Sequence, residues 1–485
     1  MRQNKPIVAS GHPLVCEAAI SIMAQGGNAF DAAVAGGFVS ALAEPGLTSL
    51  GGGGFLLSRT REESILFDFF SDTPGKGRAT DDLEPHFFTV TIPFGSGGVD
   101  QDFNVGRGSV AVPGVLKGLL HVHRRLGRLE LKDVLAPAIT AARNGVVVRP
   151  MQALFFQLLE PILTMPAAGK KLYMPDGKLL GAGDLLINRD YGDFLEQLGG
   201  NPEKTFYSGE LARRIAQDME EGQGLLTAED LASYQVVERN PLKISYRGLS
   251  MLTNPPPSFG GSLIAGGLAR LERYPLSSFS PGSAEHLTAK ATVMQEVEAE
   301  RLSPAFSRGT THFSVVDGDG NVASMTTSNG EGSGYMIPGT GIMLNNMMGE
   351  DDLHPDGFHS TPPGHRVASM MSPSLILDGD KVVLVIGSGG SKRIRTAITQ
   401  VLSLVVDFSM PLRDAVNFPR LHWDGDVFQA EPGFEASALD ALKKLGPVNI
   451  WPELNVYFGG VHSVIPGRSG AGDPRRGGDS RILEL

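Results

Sequence analysis

Gly309-Thr310-Thr311-His312-Phe313-Ser314-Val315-Val316-Asp317 runs into the turn Gly318-Asp319-Gly320 and then into Asn321-Val322-Ala323-Ser324-Met325-Thr326-Thr327. β-Branched and aromatic residues on both sides of an Asp-Gly pair predict a tight hairpin of two strands, His312 to Asp317 and Asn321 to Thr327. The residue in front of the first strand carries the chemistry. If the Gly309–Thr310 bond is cut, Thr310 holds a hydroxyl and a free α-amine on adjacent carbons, so nucleophile and general base arrive as one residue. The plainer reading is that Thr310 and Thr311 only open a β-strand, where threonine is common.

Working outward, residues 13 to 43 alternate apolar and small residues with a helical period. Gly26-Gly27-Asn28 breaks that run, which reads as a helix stop and a new start. Gly53 to Arg59 and Ser64 to Phe70 read as a hairpin around Arg61-Glu62-Glu63. From about 114 to 270 the pattern is mainly helical, and Thr227-Ala228-Glu229-Asp230 has the form of a capping arrangement before Leu231. Ser374 to Leu377 and Val382 to Ile386 are further strand candidates, and Leu353 to Arg366 reads as a loop. Strands bracketed by helices at both ends of the chain fit an α+β fold, a four-layer αββα sandwich.

The 485 residues are 41% hydrophobic and 20% charged, ordinary values for a chain that buries a large core. Forty-two Lys+Arg against 53 Asp+Glu leave a net charge of −11, which disfavours nucleic acid and anionic membrane as partners. No apolar run reaches membrane-spanning length. Met1-Arg2-Gln3-Asn4-Lys5-Pro6 lacks the apolar core of a secretory signal, so the chain is either cytoplasmic or recorded without its leader. Cys16 is the sole cysteine, which rules out an internal disulfide and thiolate metal clusters. His354, His359 and His365 lie near Asp351, Asp352 and Asp356, but their spacing matches no standard zinc arrangement and reads better as a polar loop. No metal and no cofactor is expected.

Several stretches, taken in order, carry a resemblance. They are His12-Pro13, Gly26-Gly27-Asn28-Ala29-Phe30-Asp31-Ala32-Ala33-Val34, Gly51-Gly52-Gly53-Gly54-Phe55, Phe206-Tyr207-Ser208-Gly209-Glu210 and Leu226-Thr227-Ala228-Glu229-Asp230-Leu231. Pro255-Pro256-Pro257-Ser258, the Thr310 segment, Met371-Ser372-Pro373, Gly387-Ser388-Gly389-Gly390-Ser391 and Asp473-Pro474-Arg475-Arg476 continue it. In this order the chain resembles the γ-glutamyltranspeptidases, a family of N-terminal-nucleophile hydrolases, almost from end to end. The resemblance implies the same αββα architecture and self-cleavage at Gly309–Thr310. Residues 1–309 then form a large subunit and 310–485 a small one, together one unit. It also implies transfer of an acyl group from a small amide or peptide, a γ-glutamyl donor such as glutathione, through Thr310 to water or an amine acceptor.

The resemblance assigns further roles. Ser328 falls where the family has a threonine hydroxyl that supports the nucleophile, and Gly389 and Gly390 match the pair whose backbone N–H groups hold the oxyanion. Gly387-Ser388-Gly389-Gly390-Ser391-Lys392 lacks phosphate-loop spacing, which leaves a plain turn as the rival reading. Asn329 stands one position from a substrate-binding asparagine and reads equally as a turn residue before Gly330. Asp352, with Asp351 beside it, aligns with the acid that receives the donor's α-amine, against a solvated acidic turn. Ser369 keeps one of two carboxylate-binding serines. The family carries a lid over the pocket near Leu353 to Arg366; the stretch here is short, which implies a more open pocket.

Two positions depart from the family. Phe70 stands where relatives present an arginine to the donor's α-carboxylate, and Met370 replaces the second serine. A ring does not replace a bidentate guanidinium contact. Either Arg78, Arg366 or Arg393 supplies the charge, or the donor lacks the free α-carboxylate, as in glutaryl or oxamate-like amides. A non-catalytic binding protein on the same fold is a further alternative.

Overall fold

A computed structural model describes residues 5–78, 85–93, 100–200, 204–299, 309–350, 353–354 and 357–484. The hairpin that opens the small piece forms as read, with strands Thr311–Val316 and Val322–Ser328 paired antiparallel, Thr311 opposite Thr327 and Val316 opposite Val322. This hairpin is the middle of a seven-stranded sheet. The order is Asp479–Ile482, Ile7–Ser10, Thr311–Val316, Val322–Ser328, Gly53–Arg59, Ser64–Phe69 and Val237–Arg239. A second sheet of six strands faces it, in the order Ser469–Ala471, Gly460–Ile465, Lys381–Gly389, Ser374–Asp378, Leu249–Thr253 and Leu242–Tyr246. Both sheets mix segments from before and after position 309, so neither segment closes a core alone.

Strand periodicity sorts the side chains between layers. Leu56 joins the cluster on the helical side of the first sheet, while Phe55 and Leu57 join the cluster between the sheets. Helices Pro13–Ala24, Ala29–Ala43 and Val115–Leu126 cover that outer side, with Leu131–Asn144 packed on Ala29–Ala43. Ala29–Ala43 is apolar nearly all round and is buried accordingly. Gly260–Leu271 and Arg393–Asp407 cover the second sheet, and Ala284–Ala299 packs against Gly260–Leu271. The four layers of an αββα sandwich result, and the fold is α+β. Among the described residues no helix is long and apolar enough to cross a membrane.

Local sequence explains the ends of these elements. Asn28 accepts from the N–H groups of Phe30 and Asp31 while Asp31 accepts from Asn28 N–H, a capping box that restarts the helix after Gly26-Gly27. Thr227 and Asp230 form a second box before Ala228–Ser233. The stretch from 114 to 270 is mainly helical, as read, with short strands set into it. Val237–Arg239, Leu242–Tyr246 and Leu249–Thr253 are strands, and the last two pair around Arg247 and Gly248, which both have positive φ. Leu242-Lys243-Ile244-Ser245-Tyr246 alternates with a period of two, the strand signal that a mainly helical reading passes over.

Between the sheets, near the start of Thr311–Val316, the packing turns polar. His312 lies between Thr326 Oγ1 at 2.8 Å and Ser314 Oγ at 3.1 Å, and Ser314 donates to the His462 carbonyl at 3.0 Å. Burial, with His462 nearby, holds the His312 pKa far below its ordinary value, so the ring is neutral. His312 is therefore a satisfied core residue that fixes the strand carrying Thr310.

Candidate active site

The hairpin register itself builds the first part of the site. With Thr311 opposite Thr327, the next position along each strand brings Ser328 to Thr310. The Ser328 hydroxyl donates to the carbonyl oxygen of Gly309 and accepts from Gly330 N–H at 2.9 Å. A backbone donor thus orients a hydroxyl that points at the carbonyl in front of Thr310. Gly309 N–H donates to Glu331 Oε1 at 2.9 Å, and Glu331 N–H in turn donates to Asn346 Oδ1 at 2.9 Å. Thr310 itself is buried.

Distant parts of the chain close around this hairpin. Arg476 Nη1 donates to the Thr310 carbonyl at 3.0 Å. Its neighbours in Asp473-Pro474-Arg475-Arg476 lock it in place. Arg475 donates to Glu431 through Nε at 2.6 Å and Nη2 at 2.5 Å, and Arg420 Nη2 meets Asp473 Oδ2 at 2.5 Å. All four of these side chains are buried, where a paired and hydrogen-bonded charge is tolerated and a single partner is not. Burial, with Arg393 nearby, lowers the Arg476 pKa to about 10, which still leaves it charged at neutral pH. Glu44, at the end of Ala29–Ala43, accepts from the Thr311 hydroxyl at 3.0 Å through Oε1, and its Oε2 is buried without a hydrogen-bond partner. Burial raises the Glu44 carboxyl from 4.5 to about 7, against the opposing pull of Thr311 and Arg476.

Gly389 ends the strand Lys381–Gly389 against Thr310, where any Cβ would collide with the Thr310 carbonyl oxygen. Gly390 has φ +114, and a Cβ there would stand 2.8 Å from Gly459 Cα, so glycine is required on both counts. The turn then passes Ser391 into the helix Arg393–Asp407.

A pocket opens on the other side of Thr310. It is lined by Thr310, Ser328, Ser369, Ser391 and Glu350 together with Phe70, Met347, Leu353, Met370, Met371 and Ile394. Thr310, Ser328 and Ser369 are thus brought together. Ser369 Oγ accepts from Met371 N–H at 3.1 Å, and its carbonyl accepts from Phe259 N–H at 2.8 Å. Asn329 sits behind the site instead of in the lining: its N–H donates to the Leu47 carbonyl, and its Nδ2 to the Leu344 carbonyl at 3.4 Å. Asp352 and Asp351 lie outside the described residues, and Glu350 is the acid that reaches the described lining.

The three arginines offered as substitutes for the missing cation are held elsewhere. Arg366 meets Asp72 Oδ1 at 3.1 Å and Asp68 Oδ1 at 3.3 Å, donates to the Phe70 carbonyl, and lies over the Tyr234 ring at 5.0 Å. Arg78 donates to the Gly224 carbonyl at 2.9 Å. Arg393 donates to the Tyr457 carbonyl at 2.9 Å and covers that ring at 4.7 Å. Phe70 is buried with its ring stacked on Phe55 at 5.4 Å. Among the described residues lining the pocket there is no arginine or lysine.

Glu44, Glu331, Glu350 and Arg476 were not singled out as site residues by sequence reasoning. A carboxylate directly after a long apolar helix, and a second arginine after Asp473-Pro474, are the signals that could have found two of them. Among the described residues no group of three or more His, Cys, Asp or Glu could hold a metal. His354 instead bonds the Met347 carbonyl through Nε2 at 2.9 Å.

The family model described as Gamma-glutamyltranspeptidase matches residues 16–306 and 296–482. The glutathione hydrolase proenzyme of Escherichia coli (strain K12) is 30% identical over 541 aligned positions, covering 98% of this chain and 91% of that protein. The acylase ACY 1 proenzyme of Pseudomonas sp. (strain V22) is 32% identical, covering 90% of this chain and 86% of that one. In fold, the chain is similar to the crystal structure of a cephalosporin acylase from Bacillus halodurans, with a TM-score of 0.83, 24% identity and coverage of 100% and 97%. On this evidence the chain is an enzyme that belongs to the gamma-glutamyltranspeptidase family.

Proposed function

We propose that the chain cuts itself between Gly309 and Thr310 and that the freed Thr310 then cleaves an amide. The observation that carries this reading is the Ser328 hydroxyl on the Gly309 carbonyl, backed by Gly330 N–H. In the first step Thr310 Oγ attacks the Gly309 carbonyl carbon, and the charge that develops on its oxygen meets a donor already in place. Breaking the C–N bond leaves an ester on Thr310 and a free α-amine, and water then releases Gly309 as a carboxylate. Residues 1–309 and 310–485 remain one unit because strands of both form each sheet. The proenzyme names of the relatives support such processing. In turnover, Thr310 Oγ attacks the donor amide while its own amine takes the proton. The amine leaves, and water or an acceptor amine resolves the acyl-enzyme. Gly389, closed against Thr310, and its neighbour Gly390 are assigned the oxyanion of this second reaction.

For the donor, the lining supports an acyl group without a carboxylate. Six of the lining side chains are apolar, Glu350 is acidic, and the arginines nearby are spent on Asp68, Asp72 and backbone carbonyls. The 32% identity to an acylase is in keeping with this reading. A γ-glutamyl donor is the second reading, favoured by the retained Ser369 in the lining. The expectation that a glutaryl donor lacks this carboxylate needs correction: a glutaryl group keeps a terminal carboxylate where the γ-glutamyl group has its α-carboxylate and lacks only the amine, so a butanoyl group is the donor with neither charge.

Two measurements test these steps separately. Intact mass spectrometry of the purified wild type should show two polypeptides, and Thr310→Ala a single one; efficient cleavage in that variant would refute the nucleophile. Rates on γ-glutamyl-, glutaryl- and butanoyl-p-nitroanilide should favour butanoyl. A γ-glutamyl rate tenfold above butanoyl would overturn the donor assignment and leave the nucleophile standing.

A further inference from the structure

The hairpin that carries Thr310 at its open end has a second cleft at its turn. Val316 and Val322, the last and first residues of its two strands, line this cleft. At about 3.3 Å per residue, Val316 stands roughly 20 Å along the strand from Thr310. Thr60 and Arg61 close around the cleft from the first sheet, and the turns at Asp380 and Gly467 from the second. Its volume is about 460 Å³, within the range of small-molecule sites.

Among the described residues of the lining, four are cationic, Arg59, Arg61, Lys381 and Arg468, against the one carboxylate of Asp380. That balance reverses the −11 of the whole chain. Arg59 is partly engaged: Nη1 donates to Ser64 Oγ at 3.2 Å, and Nη2 stands 3.9 Å from Asp380 Oδ1. Arg61, Lys381 and Arg468 are exposed, and their side chains make no hydrogen bond, ion pair or ring contact with a described residue. Two acids on the adjoining turns face other cations, Glu63 meeting Arg125 at 2.8 Å and Asp319 meeting Arg128 at 2.8 Å. Glu62 and Asp378 lie outside the lining. A lone exposed cation is ordinary, but like charges brought from separate turns onto one concave wall repel each other and draw anions.

We infer that this cleft binds a small organic anion carrying at least two negative charges, held by Arg61, Lys381 and Arg468, with its apolar body on Val316, Val322 and Val382. The surplus of three cations calls for more than one negative charge, and guanidinium forks suit phosphate and carboxylate alike. A bare hydrated ion would leave the valine floor uncovered.

Phenyl phosphate and isophthalate are the probes, titrated into the wild-type chain by calorimetry. Saturable binding of both supports a site for dianions at large; binding of one alone supports phosphate esters or dicarboxylates as the natural class. Benzoate, which has the ring and a single charge, should bind about tenfold more weakly than the tighter probe, as loss of a charge-assisted hydrogen bond implies. Lys381→Met and Arg468→Gln should each weaken that probe about fivefold to tenfold. Asp380→Asn should tighten it about twofold to fivefold, the worth of one exposed charge, and a gain of affinity cannot come from damaged folding. Saturation by neither probe, equal affinity for benzoate, unchanged affinity in both Lys381→Met and Arg468→Gln, or loss of binding in the donor-pocket variant Ser369→Ala would each overturn the inference.

Discussion

The two sides of Thr310 are built from opposite materials. On the Gly309 side, three backbone groups at the junction meet polar partners: Ser328 on the Gly309 carbonyl, Glu331 on its N–H, Arg476 on the Thr310 carbonyl. On the donor side, Phe70, Met347, Met370, Met371, Leu353 and Ile394 make most of the wall. Polar partners with fixed geometry serve a reaction, because charge develops at a defined atom and donors must already be there. An apolar wall serves selection, and it changes by substitution without disturbing the reaction. On the proposed mechanism, that division lets Thr310, Ser328, Gly389 and Gly390 serve the reaction while Phe70 stands in the donor wall.

The contrast can be broken from the polar side first. Gly389→Ala drives a Cβ into the Thr310 carbonyl, a backbone atom that cannot swing away. We expect no cleaved product and a melting temperature well below wild type; normal processing would show that the two strands are not closed on each other. Ser328→Ala should slow self-cleavage on the order of 100-fold, the usual cost of one oxyanion donor, with Ser328→Thr recovering most of it. The time course of the two pieces on a denaturing gel decides this, and an unchanged rate in Ser328→Ala would remove the donor from the mechanism.

Glu44 gives a pH test of the same side. Its folded pKa is raised above its ordinary value, so its stabilising contribution is present below about 4.5 and is lost as pH rises through about 7. The full loss above that range is about 3 kcal/mol for a shift of this size. In the uncut Thr310→Ala background, urea unfolding at pH 5 and pH 8 should show a larger drop for Glu44 than for Glu44→Gln; equal drops would mean that the carboxyl is not held neutral. The smallest effect is expected on the apolar side. Met370→Ser should raise the γ-glutamyl to butanoyl rate ratio about threefold to tenfold, the worth of one neutral hydrogen bond, and a ratio that stays put would place the donor's polar end away from position 370.

Much of this was readable before any tertiary contact was known, and the reason is distance along the chain. The Thr311–Val316 and Val322–Ser328 hairpin is set by one short turn, and its register alone carries Ser328 to Thr310. The helix pair before residue 44 was equally legible, because Asn28 and Asp31 cap it locally. The strands from Val237 to Thr253 were missed: they lie among helices, and two of them join a sheet whose other strands begin at residue 374.

The sequence by itself determined which hydroxyls meet at the Gly309–Thr310 junction, since a tight turn and strict alternation leave the strands one pairing. Only the tertiary structure decided what the remaining charges do. Arg366 reads in the sequence as a free cation near the pocket, yet Asp68, Asp72 and the Phe70 carbonyl occupy it. Arg476 reads as one more basic residue near the end of the chain, yet packing sets it on the Thr310 carbonyl, 166 positions away. A long side chain's partner is fixed by whichever buried charge or carbonyl the fold brings within reach, and no local pattern records that.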